Sequence, residues 1–459
     1  MTANLSRREL LRYLAALGLP GAGGAALAAR PERIIPWRNW SGGQACIPAA
    51  RIAPDGEQAV ADAVRAATGT LRAVGSSHSF SPLVPTEGTL LSLNNLTGMI
   101  GADSAALTSE FWGGTRMSDM GEPLQKAGLA LSNMADIDYQ TLAGAIATST
   151  HGTGPRYGSY STQVTGLRLV LANGDIVDCD RQHRPELFEM ARASLGALGI
   201  VTRVRLQNRK AFRLRRKEWV QNTEELLDNL PQLIRDNDHF ELNPLLHCDL
   251  SLASSLNETD DTHTIPKDMG GDTEKVRPLA LVDTYLRDAP RAQATLLDFF
   301  ARHIDFPEVV DDSFRVFANV RDVRFNEMEY EVPAEAGPAC LREVLKTIRE
   351  QNLHSYIPLE FRYVKGDDIP LSMFHNRDTC AISVHQYYEL DYHNFFAQVE
   401  PIFWKYDGRP HWGKLHTLNA NQLSRLYPRW KDFLEVRAAV DPAGKFLNGH
   451  LRSVLGVNC

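Results

Sequence analysis

The sequence lacks the features that identify several common classes of protein. Its six cysteines form no C-x-x-C pair, and no cysteine–histidine cluster has the spacing of a zinc site. Its formal net charge is −7, so no excess of positive charge indicates a nucleic-acid partner or an anionic membrane surface. It has no internal repeat and no low-complexity tract. What remains is the composition of an ordinary globular protein, with 43% hydrophobic and 23% charged residues.

The cysteines are predicted to be mostly buried thiols, because a chain of 459 residues can bury a core without disulfide staples. Their even number leaves pairing open. They are Cys46, Cys179, Cys248, Cys340, Cys380 and Cys459.

The first 29 residues resemble a twin-arginine export signal. A basic segment, residues 6–12, precedes a short apolar stretch, residues 13–19, and an A-x-A site at residues 26–28. The apolar stretch is too short to span a bilayer, so we expect no transmembrane segment. We expect cleavage near Ala29 and a mature protein outside the cytoplasm, in the periplasm. The alternative is an ordinary amphipathic N-terminal helix.

The length of the chain predicts two domains, or two domains with a terminal extension. An apolar stripe after Pro54 predicts a helix, and strands are predicted at residues 71–74, 89–93, 166–171 and 200–206. This mixture predicts an α+β domain over about the first 205 residues. Strands at 356–363 and 381–388, with helices at 291–303 and 336–351, predict a second, sheet-based domain. The polar residues 251–277 are expected to form a long surface excursion.

Three segments rich in small residues are the first candidates for a binding site. The segment A-V-G-S-S-H-S-F-S, residues 73–81, follows a predicted strand. Its small residues let backbone N–H groups approach and bind an anion. Residues 141–154 consist largely of Gly, Ala, Ser and Thr, so backbone can lie against a flat ligand. Residues 194–202 contain two glycines and predict a turn that leads into a strand. Each segment also has an ordinary structural explanation, such as a turn histidine at His78.

Polar residues in the C-terminal third are candidates for catalysis. Glu360 and Arg362 are two residues apart on a predicted strand, hence on one face. The segment R-P-H-W-G-K-L-H, residues 409–416, contains His411 and Lys414, and D-P-A-G-K-F-L-N follows at residues 441–448. Taken singly, Lys414 is equally typical of a solvated lysine and His411 of a core histidine.

In this order and at these separations, the three small-residue segments resemble the FAD-binding domain of the vanillyl-alcohol-oxidase-type flavoproteins. The opening W-R-N-W-S-G, residues 37–42, adds to the match. Within that superfamily the resemblance is closest to the aldonolactone oxidases (D-arabinono-1,4-lactone and L-gulono-1,4-lactone oxidases) and the alditol oxidases. It runs from about Trp37 to Leu455.

The resemblance implies a two-part FAD-binding domain and a second, sheet-based substrate or cap domain. We expect the export signal at residues 1–29, the FAD-binding domain at 30–208 and the cap domain at 209–405. Residues 406–459 are expected to complete the active site and return to the FAD domain.

The resemblance also implies FAD bonded covalently to His78 through the flavin's 8α-methyl carbon. Asp136 falls where alditol oxidases carry a serine that contacts flavin and substrate, which argues against an unmodified alditol specificity. The residues expected to bind FAD are Ala73, Val74, Gly75, Ser76, Ser77, His78, Ser79, Asp136, Thr141, Gly144, Ala145, Ile146, Ala147, Thr148, Ile200 and His411.

The implied reaction is hydride transfer from a carbinol carbon of a small sugar lactone or polyol to the flavin N5, with loss of the hydroxyl proton. Lys414 and Arg362 are expected to hold the reacting oxygen, because cations there favour a developing alkoxide. Glu360 is expected to accept hydrogen bonds from neighbouring hydroxyls, and His385 is a further candidate substrate contact. The expected electron acceptor is O₂, with H₂O₂ as product.

Several alternatives stay open. The protein could be a dehydrogenase that reduces a quinone or a cytochrome, since oxygen access in this family depends on small differences around Ala135. It could also be an aromatic-alcohol or oligosaccharide oxidase, or a non-catalytic flavin-binding or sugar-binding protein. The sequence leaves the oligomeric state open.

Overall fold

A computed structural model describes residues 35–264, 272–286, 288–301, 303 and 306–457. The predicted export signal and Cys459 lie outside the described residues. From Pro36 onward, helices and strands alternate along the chain, which confirms the predicted α+β class. The domain boundaries at residues 208 and 405 stay predictions.

The strands of the described residues are numbered in chain order. They are β1 (Trp37–Arg38), β2 (Ala45–Cys46), β3 (Ala50–Ile52), β4 (Leu71–Val74), β5 (Thr89–Ser92), β6 (Met99–Asp103), β7 (Thr108–Trp112), β8 (Leu129–Ala130), β9 (Val164–Val170), β10 (Ile176–Asp180), β11 (Ile200–Gln207), β12 (Arg209–Lys210), β13 (Arg213–Asn222), β14 (His239–Pro244), β15 (Leu250–Glu258), β16 (Val309–Asp312), β17 (Phe325–Pro333), β18 (Glu360–Val364), β19 (Thr379–Tyr387) and β20 (Arg409–Pro410).

The α-helices are numbered in the same way. They are α1 (Glu57–Ala66), α2 (Gly121–Lys126), α3 (Leu142–Ala147), α4 (Pro185–Ala191), α5 (Thr223–Asp228), α6 (Leu230–Asp236), α7 (Asp272–Leu286), α8 (Pro290–Ala301), α9 (Ser313–Phe317), α10 (Gly337–Glu350), α11 (His393–Lys405), α12 (Ala420–Leu426), α13 (Trp430–Val440) and α14 (Gly449–Leu455).

The first part of the chain forms two sheets of three or more strands. A parallel sheet has the order β3-β5-β4, and helix α1 buries Val60, Ala61 and Val64 beside it, as its apolar stripe predicts. An antiparallel sheet has the order β10-β9-β11-β7-β6. The turn between β9 and β10 contains Gly174 at φ +84. The small-residue segment at residues 73–81 begins at the end of β4, and the segment at residues 194–202 leads into β11.

An antiparallel sheet of eight strands is built from residues 213–410, in the order β16-β13-β15-β14-β18-β19-β17-β20. The expected surface excursion at residues 251–277 is wrong over its first part. Strand β15 lies inside this sheet, between β13 and β14, and buries Ser251, Ser254 and Ser255. The Ser251 hydroxyl lies 2.9 Å from the Thr223 hydroxyl, so hydrogen bonding offsets the cost of burying this polar strand.

Strand β17 shows how the eight-stranded sheet divides apolar from charged side chains. Met328 and Tyr330 belong to the main hydrophobic core, where the Tyr330 ring stacks on Phe403 of α11 at 5.0 Å. Since side chains alternate along a strand, Glu327 and Glu329 face the opposite side. That side of the sheet therefore carries charge while the other packs against helices.

Five described cysteines are free thiols, and Cys179, Cys248, Cys340 and Cys380 are buried, which confirms that most are buried thiols. Within the described part of the chain, no helix combines the length and apolar character needed to cross a bilayer.

Candidate active site

The turn after β4 forms one wall of a long cavity. Gly75 approaches Thr141 so closely that a Cβ added to Gly75 would lie 2.2 Å from the Thr141 hydroxyl oxygen. Only glycine fits this approach. Ser77 adopts a positive φ of 62°, which turns the chain toward His78.

Most of the residues that we expected to bind FAD line this long cavity. Ala145 does not, because it packs in the hydrophobic core, and Asp136 lies in a neighbouring cavity. Sequence reasoning missed Gly113 and Gly114, which also line the long cavity. The pair of adjacent glycines directly after β7 is the sequence feature that could have indicated them. The expected residues that line it are Ala73, Val74, Gly75, Ser76, Ser77, His78, Ser79, Thr141, Gly144, Ile146, Ala147, Thr148, Ile200 and His411.

The His78 imidazole is held by aromatic contacts. It stacks on Trp40 with ring centroids 4.6 Å apart and an interplanar angle of 22°. Burial, with the positive charge of Lys414, lowers the pKa of His78 to about 4, so the ring is neutral near pH 7. Among the described residues, no group forms a hydrogen bond with its buried Nε2.

The long cavity fits a large ligand with a flat ring and polar groups. Its walls are small residues and backbone, and the buried Ser76 hydroxyl and His78 Nε2 have no hydrogen-bond partner within the described structure. Because buried polar atoms are normally satisfied, such atoms indicate a missing polar partner. These residues fit FAD.

A second, polar cavity adjoins the first, and His411 and Lys414 line both. Its walls combine the charged face of the eight-stranded sheet with the chain around Ala135. The residues that line it are Ala135, Asp136, Ile137, Gln140, Thr150, His151, Arg321, Phe325, Glu327, Glu329, Glu360, Arg362, His385, His411 and Lys414. The structure therefore brings together the four expected substrate residues, Glu360, Arg362, His385 and Lys414.

The two expected catalytic cations are each paired with a buried carboxylate. Lys414 Nζ donates to Glu327 Oε2, and Arg362 Nη2 donates to Glu329 Oε2 at 2.6 Å. Arg362 Nη2 also lies 3.0 Å from Glu360 Oε2. The cations are thus held in fixed positions at the cavity wall.

The charge states of these groups follow from burial and pairing. Burial alone raises the pKa of Glu327 and of Glu329, but the positive charges of Lys414 and Arg362 respectively bring each pKa below its ordinary value. Burial lowers the pKa of Arg362, but Glu360 and Glu329 raise it above its ordinary value overall. Both carboxylates and the guanidinium are therefore charged near pH 7.

Glu331, the next residue on this face of β17, behaves differently. Burial and the neighbouring charge of Glu329 raise the pKa of Glu331 well above its ordinary value. Glu329 instead receives a hydrogen bond from the Ser383 hydroxyl and lies 2.8 Å from His151 Nε2. On this face, therefore, the pKa of Glu331 is raised while the pKa values of Glu327 and Glu329 are lowered. Sequence reasoning missed these residues, although the spacing of Glu327, Glu329 and Glu331 two apart is a signal.

Two histidines complete the polar cavity. His385 Nδ1 lies 2.9 Å from the Pro358 carbonyl oxygen, and its Nε2 lies 3.5 Å from Glu327 Oε1. Burial lowers the pKa of His411 to about 3, so this ring is neutral where the two cavities meet. Its Nδ1 accepts a hydrogen bond from the Gly413 backbone N–H at 3.0 Å.

Asp136 contacts a loop that joins α9 to β17. Arg321 donates to Asp136 Oδ2 through Nε at 2.9 Å and through Nη2, and Asn319 Nδ2 donates to Asp136 Oδ1. Burial raises the pKa of Asp136, but the charge of Arg321 and these hydrogen bonds lower it overall. Sequence reasoning gave no signal for Arg321, because its position depends on the folding of a loop.

The chain matches two protein families. Residues 48–180 match the FAD binding domain family, and residues 204–454 match the D-arabinono-1,4-lactone oxidase family. The second match covers more than half of the chain, and the match to an FAD binding domain agrees with the ligand that the long cavity fits.

Three relatives extend over nearly the whole chain. The L-gulono-1,4-lactone dehydrogenase of Mycobacterium tuberculosis is 35% identical and covers 92% of this chain and 99% of its own. The L-gulonolactone oxidase of Bos taurus is 28% identical, and the match covers 92% of this chain and 98% of that protein. The alditol oxidase of a Streptomyces species is 29% identical, and the match covers 91% of this chain and 98% of that protein.

A solved structure shares the fold. The solvent-stable cholesterol oxidase has a TM-score of 0.77 at 18% identity, covering 93% of this chain and 100% of its own. The family match over more than half of the chain and the relative at 35% identity establish that the chain belongs to the D-arabinono-1,4-lactone oxidase family of FAD-dependent oxidoreductases.

Proposed function

We propose that this protein oxidises a carbinol carbon of a sugar lactone or polyol with bound FAD. The observation that carries the proposal is the junction of the two cavities at His411 and Lys414. A polar, charged cavity suits a hydroxylated substrate better than it suits an apolar substrate, because hydroxyl groups find hydrogen-bond partners there. The names of the three relatives, which act on lactones or alditols, support the same substrate class.

The side chains of the polar cavity have distinct parts in this proposal. Lys414 and Arg362 donate to the reacting oxygen and stabilise the negative charge that develops as its proton leaves. Glu360 accepts hydrogen bonds from neighbouring hydroxyls, and His385 contacts the substrate from the adjacent strand. FAD, when bound, supplies the acceptor for the hydride.

The released proton needs an acceptor other than the paired cations. Lys414 and Arg362 face the carboxylates of Glu327 and Glu329, and a charged ammonium or guanidinium group has no lone pair to accept a proton. We therefore propose that the hydroxyl proton passes to water at the cavity.

The substrate class is tested by anaerobic reduction of the purified yellow protein with a panel of alditols and aldonolactones. Loss of the flavin absorbance near its visible maximum is expected with at least one member. No bleaching by any member, with flavin bound, would favour the non-catalytic binding protein. Bleaching only by aromatic alcohols or oligosaccharides would contradict the proposed substrate class.

We propose that FAD is bonded covalently to His78. The neutral imidazole, its unpartnered Nε2 and its place on the cavity wall support the bond, since a neutral ring nitrogen is nucleophilic. Acid precipitation is expected to leave the flavin with the wild-type protein and to release it from His78→Ala. Complete release of FAD from the denatured wild-type protein would exclude the bond.

We propose O₂ as electron acceptor and H₂O₂ as product. The names of the relatives from Bos taurus and Streptomyces, which are oxidases, support this proposal. The second candidate is a dehydrogenase that reduces a quinone or a cytochrome, which the name of the relative at 35% identity favours. Stoichiometric peroxide in air supports the oxidase, whereas turnover only with an added quinone or cytochrome supports the dehydrogenase.

We also propose export through the N-terminal signal, with the mature protein in the periplasm. The pattern of basic, apolar and small residues in residues 1–29 supports this proposal. N-terminal sequencing of the protein from the periplasmic fraction is expected to begin near Ala29.

A further inference from the structure

The small-residue segment at residues 141–154 contacts both cavities and the eight-stranded sheet. Thr150 lines the long cavity and the polar cavity, and His151 lines the polar cavity. The Gly154 backbone N–H donates to the carbonyl oxygen of Tyr363, on β18, at 2.8 Å. The segment that forms part of the cofactor wall is therefore also attached to the sheet that carries the charged side chains.

The His151 side chain is buried and contacts a carboxylate on the sheet. Its ring meets the edge of Phe374 with centroids 5.0 Å apart, and its Nδ1 lies 2.9 Å from the Gly152 carbonyl oxygen. Its Nε2 lies 2.8 Å from Glu329 Oε1. Because a carboxylate oxygen accepts hydrogen bonds and cannot donate them, the imidazole nitrogen is the donor. His151 therefore donates to the Glu329 carboxylate from the cofactor side.

Glu329 divides its two oxygens between different donors. Oε1 receives the hydrogen bond from His151, whereas Oε2 receives one from Arg362 Nη2 at 2.6 Å and one from the Ser383 hydroxyl. The Glu329 side chain is fully buried, and a buried acceptor that loses its donor is costly to leave unsatisfied. Loss of the His151 donor is therefore expected to rotate the carboxylate and to shift the guanidinium bound to it.

The orientation of the Arg362 guanidinium depends on contacts at one nitrogen. Glu329, Glu360 and Ser383 all contact Nη2, at 2.6, 3.0 and 3.5 Å. The buried Nε of Arg362 has no hydrogen-bond partner among the described residues. A planar group held at one nitrogen can pivot there, so its direction follows the position of the Glu329 oxygen. A displacement of about 1 Å at a reacting group can slow a reaction about a hundredfold.

We infer that His151 is a positioning residue for the oxidation, which orients Glu329 and through it orients Arg362 toward the reacting oxygen. This inference rests on the proposed function and adds a residue to it. His151 acts from the segment that lines the long cavity, so the cofactor wall and the reacting cation are held in one arrangement. The role requires the hydrogen bond to Glu329 and no contact between His151 and the substrate.

The test compares His151→Phe, which keeps a ring without a donor, with His151→Gln, whose amide N–H has a reach similar to that of Nε2. His151→Phe is expected to lower the rate constant of anaerobic flavin reduction about tenfold or more, and His151→Gln is expected to recover most of the rate. Calorimetry measures substrate binding to the dithionite-reduced protein. The dissociation constant is expected to change less than about threefold in His151→Phe, because Arg362 acts mainly on charge that develops in the transition state.

An Arg362→Gln background shows whether His151 acts through Arg362. Adding His151→Phe to Arg362→Gln is expected to slow flavin reduction less than about threefold further, because the group that His151 orients is already absent. A further loss of about tenfold would mean that His151 acts on the substrate or the flavin directly, and would overturn the inference. If Arg362→Gln reacts too slowly to measure, the comparison of His151→Phe with His151→Gln decides.

His239 provides a matched control. It is also buried, its ring stacks on Tyr157 with centroids 4.5 Å apart, and its Nδ1 lies 2.7 Å from the Thr153 carbonyl oxygen. Within the described structure it lines neither cavity. His239→Phe keeps the stacked ring and is expected to leave the rate of flavin reduction unchanged. Flavin absorbance per protein checks that each variant holds FAD. His151→Asn, whose amide is too short to reach Glu329, replaces His151→Phe if that variant fails to fold.

The outcomes separate this inference from the proposed function. Slower reduction in His151→Phe, with recovery in His151→Gln and unchanged substrate binding, supports the inference. A wild-type rate in His151→Phe, a loss that His151→Gln does not recover, or an equal loss in His239→Phe would overturn it while leaving the oxidation of the substrate intact. If neither a lactone nor a polyol reduces the wild-type flavin, the proposed function fails, and this inference fails with it.

Discussion

Glu241 lies directly opposite Arg362 in the pairing of β14 with β18, next to the charged cavity. Burial, together with the negative charges of Asp136 and Glu360, raises the pKa of Glu241 to about 7. A carboxyl whose pKa is higher in the folded than in the unfolded state contributes stability that is fully present below its ordinary pKa and is lost as the pH rises through 7.

We predict that Glu241→Gln, which cannot ionise, raises Tm relative to the wild type more at pH 8 than at pH 5. The expected difference in the free energy of unfolding is about 1–2 kcal/mol, because the side chain is only partly shielded from water. Thermal unfolding across this pH range measures it, with the exposed Glu87→Gln as control. A difference that does not change with pH would contradict the raised pKa.

Single residues were predicted from the sequence where their neighbours along the chain carry the information. Glu360 and Arg362 share a face because they are two apart on one strand, and the structure places both at the polar cavity. Arg321 could not be predicted, since its contact with Asp136 joins residues 185 positions apart. Such a contact depends on the folding of the whole loop and not on local pattern.

The turn after β4 and helix α3 act together as two walls of the long cavity. Their spacing depends on Gly75, since a Cβ there would lie 2.2 Å from the Thr141 hydroxyl oxygen. Any larger residue must push the two segments apart.

We predict that Gly75→Ala lowers the FAD content of the purified protein several-fold, because the clash displaces the wall of the cavity. The double variant Gly75→Ala with Thr141→Ala removes the clashing oxygen and is expected to recover part of the FAD. Gly69→Ala is the control, since a Cβ at Gly69 would have no neighbour within 4 Å. Full FAD content in Gly75→Ala would contradict the close packing. The ratio of flavin to protein absorbance measures all three variants.

At the scale of elements, the sequence predicts strands and helices well where the apolar pattern is regular. Helix α1 and strand β11 lie where their patterns indicate. Strand β15 was mistaken for a surface excursion because its serines and asparagine are typical of loops. Its place inside the sheet depends on hydrogen-bond partners such as Thr223, which are distant in sequence.

The walls of the long cavity come from segments that are far apart in the described part of the chain. Trp37, Thr141, Ile200 and Lys414 all line it. A ligand that binds only the folded state raises stability in proportion to the logarithm of its concentration. FAD is therefore expected to stabilise the entire fold and not only the segment that carries His78.

We predict that the His78→Ala variant, stripped of flavin, unfolds at a lower temperature than the same variant with excess FAD. At about one hundred times the dissociation constant, the expected stabilisation is about 2.7 kcal/mol. Calorimetry with and without FAD measures it, and riboflavin, which lacks the diphosphate and adenosine, serves as control. An unfolding temperature that does not depend on FAD would contradict the placement of the cofactor.

We propose that substrate oxidation depends on Lys414, where the cofactor cavity meets the charged cavity. Anaerobic stopped-flow reduction of the flavin by a good lactone or polyol substrate tests it most directly in the wild type, in Lys414→Met and in the exposed control Lys431→Met. We predict rapid bleaching in the wild type and the control, and reduction slower by about a hundredfold or more in Lys414→Met at equal flavin content. Reduction of Lys414→Met at the wild-type rate would contradict this role of Lys414.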